Sequence, residues 1–250
     1  MPAQAGAWTW EQGKPASVTF SRGFSGSCAG CDLSSRNLDG ARMSGGNFAG
    51  ARFAGARMRR VEMTGGNFAR ASFDRADMSF AELSGSNFDS ASFIGTGLRE
   101  AEMNGTVLSR TDFSGATLER VEMVGANLQG ATLTGVRASA GQFSAANLSG
   151  VVAMNASFDR AEFTGSNLSR ARLDSSSFEQ ADLTGANLSG ARASRADFRN
   201  ADLAGTNISG ADLSGARGLT QRQLNEACGD SATRLPAGLT VPACRGSRRR

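Results

Sequence analysis

The sequence predicts an all-β solenoid built from four-sided coils, and three observations carry that prediction. A large apolar residue recurs every five positions from Leu33 to Leu213. Of these 37 positions, 34 are Leu, Phe, Met or Ile, and the exceptions are Ala138, Ala153 and Ala193. Two residues earlier, 36 of the 37 are Ala, Gly, Ser, Thr, Val or Cys, with Arg36 the one violation. A longer period of 20 residues runs on top of the shorter one, described below.

A five-residue period fits neither simple element. A helix would spread these residues round its circumference, and a strand would alternate them between two faces. Each unit must instead run straight and then turn, so that its large residue always points inward. The small residue two positions earlier is the second inward group, suited to a place with little room. The candidate core includes Phe48, Phe68 and Phe88, then Phe53, Phe73, Phe93 and Phe113, then Leu128, Leu148, Leu168 and Leu188.

The 20-residue period sets four sides per coil. Just before the large residue, Asn recurs at 47, 67, 87, 127, 147, 167, 187 and 207, and Val107 breaks the series. Five residues out of phase runs an acidic series, Glu62, Glu82, Glu102, Glu122, Glu162, Asp182 and Asp202, broken by Gln142. At an inter-strand step of about 4.8 Å, about nine coils make a rod roughly 45 Å long. Each coil buries its axis only against its neighbours, so stability is close to a sum of local interfaces. Stacked Asn is expected to form ladders that satisfy backbone groups of the turns.

Motifs such as Ala-Asp-Leu-Thr-Gly-Ala-Asn-Leu-Ser-Gly at 181–190 resemble the pentapeptide-repeat family, and the likeness runs without a register break across 33–213. The resemblance implies a right-handed quadrilateral β-helix. The best understood members of that family imitate B-form DNA and bind DNA gyrase, protecting it from quinolones or peptide toxins. They are acidic dimers joined at their C-terminal ends, and some carry loops that interrupt the coils. This sequence departs from them: residues 32–217 hold 19 Arg against 20 Asp and Glu, no loop interrupts the repeat, and the basic excess sits at the ends. Carboxylates at a step of about 4.8 Å are spaced to imitate a phosphate row. Arg60, Arg120 and Arg160, two residues before Glu62, Glu122 and Glu162, are expected to neutralise that side locally.

Composition excludes much chemistry. With no His, the Ser-His-Asp triad, Cys-His pairs and His-ligated metals are ruled out, and Lys14 is the one lysine. The glycines follow the coil period with no strand-to-helix context, so they form no phosphate loop. The Asn-Leu-Ser triplets at Asn147, Asn167 and Asn187 follow from the repeat and carry no glycosylation signal. No catalytic residue, cofactor or metal is expected. No apolar run is long enough to span a membrane, and Met1 to Phe20 lacks the apolar stretch of a secretory signal. Arg222, Arg234, Arg245, Arg248, Arg249 and Arg250 make a basic tail. Such a cluster suits nucleic acid or anionic lipid, against the plainer reading of a solvated end; no direct nucleic-acid partner is expected.

Three segments follow: an N-terminal cap over 1–30, the repeat over 31–217, and a C-terminal helical cap with a basic tail over 218–250. Open solenoid ends expose axis side chains and unpaired edges, so they need lids. Trp8, Trp10, Val18, Phe20 and Phe24 are the N-terminal candidates. The repeat is expected to stop at Leu213. Thr220 and Gln223 read as a capping box, Leu219, Leu224 and Ala227 as the buried face of a short helix, and Gly229 as its stop. Cys28, Cys31, Cys228 and Cys244 lie in the caps, and three readings stand open. They are disulfides, with Cys228 and Cys244 stapling the C-terminal cap, or small core thiols, or a metal or redox Cys-x-x-Cys at 28–31. The rod's length opposes a four-cysteine site.

The expected function is that of a non-enzymatic interaction or scaffold protein with an unidentified protein partner. Second comes a gyrase-binding DNA mimic, and third an envelope structural module. Disulfides would imply an oxidising compartment. The Cys-Ala-Gly-Cys-Asp-Leu and Ala-Cys-Gly-Asp segments resemble exported bacterial relatives, which leans localisation toward the periplasm or envelope rather than the cytoplasm. A monomer and a C-terminally joined homodimer are both compatible with the capped end.

Overall fold

The computed structural model describes residues 26–244. The backbone closes a coil every 20 residues. Ser27 bridges Asn47, Asp32 bridges Arg52, Asn37 bridges Arg57 and Arg42 bridges Glu62, all parallel, and the same 20-residue spacing continues to Asp197–Arg217. Each side gives one bridging residue rather than a strand of several. In the 26–244 region the one regular helix, α1, is Gln221–Glu226.

The corners explain why the period is five. The amide of nearly every small residue donates across the corner to the carbonyl of the preceding large residue, as Ala41 N to Leu38 O and Ala51 N to Phe48 O, both at 3.0 Å; Gly66 N donates instead to Ser86 Oγ at 3.1 Å. The residue just inside that bond has positive φ at every fifth position from 30 to 210, between 54° and 69°. A turn of this kind requires the left-handed region at its third residue, which Gly enters without steric cost. Even so, 18 of these corners carry side chains, Arg60, Phe80, Glu100 and Arg120 among them. Between coils the ladder is regular: Phe48 N donates to Asn67 O at 2.7 Å, and Arg52 N to Cys31 O at 2.8 Å.

The large residues fill the axis as expected. All the predicted core phenylalanines and leucines are buried. Rings stack coil upon coil: Phe48, Phe68 and Phe88 at centroid distances of 5.2 Å, and Phe53, Phe73, Phe93 and Phe113 at 4.8–4.9 Å. In the C-terminal half the stacks move to the other two sides, as Phe143–Phe163 at 4.9 Å and Phe158–Phe178–Phe198 at 5.3 Å. Buried hydroxyls at the small position are all bonded to backbone, as Thr96 Oγ1 to Phe73 O at 2.7 Å and Thr206 Oγ1 to Leu183 O at 2.8 Å. No buried polar side-chain atom of the described residues lacks a partner.

The C-terminal end differs from expectation in two places. The ladder does not stop at Leu213: Asn207 bridges Cys228, and Asp212 bridges Arg234, so the cap completes a further partial coil. The α1 helix does start at the Thr220–Gln223 capping box, but it ends at Ala227 in extended conformation. Gly229 is instead a close-packing site that bridges Ala243, where a Cβ would stand 2.7 Å from Val241 Cγ1. The expected N-terminal lid, Trp8 to Phe24, lies outside the described residues, as do Lys14 and Arg245 to Arg250.

Candidate functional site

Two of the four sides are chemically distinct because each repeats one residue type at the outward bridging position, while the other two are mixed. One is the Asn side. Asn67 Nδ2 donates to Asn47 Oδ1 at 3.1 Å and Asn147 Nδ2 to Asn127 Oδ1 at 3.1 Å, while each Asn Oδ1 accepts the amide two residues on, as Ser209 N to Asn207 Oδ1 at 2.9 Å. These amides meet the one donor per unit that neither corner nor ladder uses. That role is structural, and the side carries no charge of its own at this position.

The preceding side carries the acidic series. Glu62, Glu82, Glu102 and Glu122 are bridged in succession, Gln142 follows, then Glu162, Asp182 and Asp202. A glutamate is one carbon too long to repeat the Asn pattern, and no Glu of this row accepts the amide two residues on. The shorter Asp182 and Asp202 do, from Thr184 N at 2.8 Å and Ala204 N at 2.9 Å. Burial pushes the Asp182 carboxyl up, but bonds from Thr184 and Thr164 outweigh it and leave the carboxyl below its ordinary range.

The expected local neutralisation is not what forms. Arg120 reaches along the rod axis to Glu100, a corner residue, and holds its carboxyl below the usual range. Arg60 lies over the Phe80 ring, 5.4 Å from its centroid. Arg160 makes no ion pair among the described residues. Glu62 is paired with Arg42 at 3.0 Å, and Glu122 accepts from Asn104 Nδ2 at 3.1 Å. Glu82 and Glu102, both exposed, make no ion pair among the described residues. The physical reason is the spacing. Residues one coil apart lie about 4.8 Å away on the same column, within easy reach of a long side chain.

Phe80, Glu100 and Arg120 form one wall and Glu82, Glu102 and Glu122 the other of a groove of about 490 Å³. Sequence reasoning found the carboxylate wall and missed the corner wall. Its signal was present as bulky residues at corners where Gly is favoured. A second hollow of about 470 Å³ lies at the C-terminal cap between Arg199, Thr220 and Arg222. Gln223 Nε2 seals the floor there, donating to Phe198 O at 3.0 Å and Ala201 O at 2.8 Å.

Cys28 and Cys31 lie at disulfide distance across the first described corner, and Cys228 and Cys244 within the C-terminal cap, with S–S separations of 2.08 and 1.94 Å. In the described region no group of three or more Cys, Asp or Glu residues is arranged to hold a metal ion. No helix of the described residues is long and apolar enough to cross a membrane.

The pattern that defines pentapeptide repeats matches the chain in 8 copies, over residues 27–65, 55–89, 66–105, 98–135, 142–180 and 181–217. Among solved structures, HetL resembles the chain with a TM-score of 0.71 and 25% identity, over 82% of this chain and 92% of HetL. HetL is a pentapeptide repeat protein involved in heterocyst differentiation regulation from the cyanobacterium Nostoc sp. strain PCC 7120. Full-length QnrB1, a plasmid-mediated fluoroquinolone resistance protein, matches at 20% identity over 82% of this chain and 94% of its own, with a TM-score of 0.32. That superposition is too loose to carry an argument. No protein of curated function matches the chain.

Proposed function

The chain belongs to the pentapeptide-repeat family, and on that premise we propose that it is a non-enzymatic interaction scaffold, a rigid right-handed four-sided β-helix whose carboxylate side receives a protein partner. One observation carries the reading: Glu82 and Glu102 stand exposed on successive rungs of the ladder, without a counter-ion among the described residues, beside a groove that Phe80 helps to line. Like charges stacked on neighbouring rungs cost stability, and a partner's basic residues would relieve that cost. Pentapeptide-repeat proteins are generally structural or interaction proteins, and the lack of any His in the sequence fits that. HetL's involvement in a regulatory process fits as well.

The test compares the full chain with the variant carrying Glu62→Gln, Glu82→Gln, Glu102→Gln and Glu122→Gln, both immobilised at low salt. A partner retained by the first and lost by the second supports the reading. Identical retention by both sinks it.

The same carboxylate row favours a second reading, imitation of a DNA phosphate row and binding of DNA gyrase. Its support is the absence of local Arg neutralisation at Glu82 and Glu102. Here the chain should inhibit gyrase supercoiling, and the four-Gln variant should not; a chain inert at high excess ends the idea. The disulfide-distance cysteine pairs favour an oxidising compartment such as the cell envelope. Titration of the native protein with a thiol reagent should find no reactive thiol, and four reactive thiols would remove that placement.

A further inference from the structure

In the C-terminal half, opposite sides of the rod carry opposite charge. On one, Glu162, Asp182 and Asp202 are bridged in succession; on the other, Arg172 bridges Arg192. Ten residues, half a coil, separate each Arg from the acids on either side of it. Arg170 and Arg195 flank the arginine row at its corners. None of these seven residues is in an ion pair among the described residues. Elsewhere the chain neutralises arginine with an acid of the adjacent coil, as in Arg52–Asp32 at 2.6 Å, Arg57–Asp39 at 2.7 Å and Arg199–Glu179 at 2.8 Å. Here the two signs lie mostly on opposite sides, although Asp212, bridged to Arg192, continues the arginine column with an acid that Arg192 helps to stabilise.

Both rows repeat with the coil step of about 4.8 Å, so their spacings match by construction. A second copy laid parallel and level with the first would place Arg172 between Glu162 and Asp182, and Arg192 between Asp182 and Asp202. The corners on one edge of the carboxylate row are Gly165, Gly185 and Gly205, so no side chain stands in the way there, while Arg160, Gln180 and Asn200 occupy the other edge. We propose that the chain associates side to side with a second copy of itself, the Arg172–Arg192 row of one seating on the Glu162–Asp182–Asp202 row of the next.

The contact joins two different surfaces on opposite sides of the molecule, so it does not close on itself and continues into lateral ribbons. Asp112 would face Glu102 and Glu122 in the same alignment, and Asp212 would stand beside Asp202; both oppose it. The contact area, roughly 45 Å by 10 Å, is below the ~800 Å² per partner of stable complexes. Association is therefore weak, concentration-dependent and screened by salt.

The test is sedimentation velocity of the full chain at high concentration, in about 0.01 M and about 1 M salt, where the Debye length is about 30 and 3 Å. The expected result is a mass that rises with concentration at low salt and returns to that of the 25.9 kDa monomer at high salt. The charge-reversed variants R172E/R192E and E162R/D182R/D202R should each stay monomeric, and their equimolar mixture should associate again. Because a triple reversal can impair folding, R172Q/R192Q is measured alongside and should weaken association at least tenfold. A monomeric wild type at low salt overturns the proposal. So does association unchanged in R172Q/R192Q, or a mixture of folded variants that fails to associate. The surface lies on different coils from Glu62–Glu122, so its failure would leave the partner reading untouched.

Discussion

Asn67 donates its side-chain amide to Asn47 Oδ1 one coil below at 3.1 Å, and the same bond recurs up the side until Val107 interrupts it. Val107 is 40% exposed and leaves Ser109 N without the side-chain acceptor that its counterparts have. Asn127 Nδ2 turns to Ser109 Oγ instead, at 3.1 Å. Val107→Asn should restore both ladder bonds and raise stability by about 1 kcal/mol, or about 2–4 °C in thermal midpoint. Unchanged or lower melting would show that the ladder contributes little beyond solvation.

The corners set the next expectation. Ala145 has φ of 55° in a column where eight other corners are Gly. Ala145→Gly should stabilise by about 1 kcal/mol by removing the left-handed penalty, less the entropy that Gly loses on folding. Gly65→Ala should do the reverse. Equal denaturant midpoints for both would contradict the turn assignment.

Gly66 is required for a different reason, since a Cβ there would stand 2.5 Å from Phe68 Cε2. Gly66→Ala should cost about 1–3 kcal/mol through displacement of a ring stacked on both sides. The double change Gly66→Ala with Phe68→Leu should recover part of that loss, as measured by chemical denaturation.

At the C-terminal end, Gln223→Ala leaves the buried carbonyls of Phe198 and Ala201 without the side-chain donor that now bonds both, a cost of about 1–3 kcal/mol. Nearest-neighbour stability confines the damage. Hydrogen exchange should accelerate in the last coils and the cap while coils near Phe73 keep their protection. Uniform acceleration along the rod would mean a single cooperative unit instead.

Acid sensitivity follows from the carboxyls. Asp32 is held below its ordinary range chiefly by the Arg52 hydrogen bond, and Asp212 by the Ser214 hydroxyl. A depressed folded-state pKa contributes stability that is present above the unfolded value, near 3.9, and is lost as pH falls through the folded one. With no His in the chain, no side chain has an ordinary pKa between about 5 and 8. The thermal midpoint should be flat from about pH 8 to 5 and fall below about pH 4. A drop between pH 7 and 6 would point to a group outside this account.

The coil, its inward residues, the Asn and acidic columns and the helix start at Thr220 were all legible in the sequence. A repeat states its own geometry: each position is read about nine times, and one side chain type per column says whether it faces axis, corner or water. The cap was less legible because it occurs once. Gly229 carried the usual sign of a helix stop, yet Val241 and Thr233, more distant in the chain, press against it and make it a packing site. The partners of charged side chains were not legible at all. Sequence distance put Arg120 beside Glu122, whereas stacking put it beside Glu100, 20 residues away. By itself the sequence determined which residues turn inward, since burial follows from the five-residue period. Only the tertiary structure decided which outward charges meet and which stand alone, because that depends on distances between coils and on where each corner aims a flexible side chain.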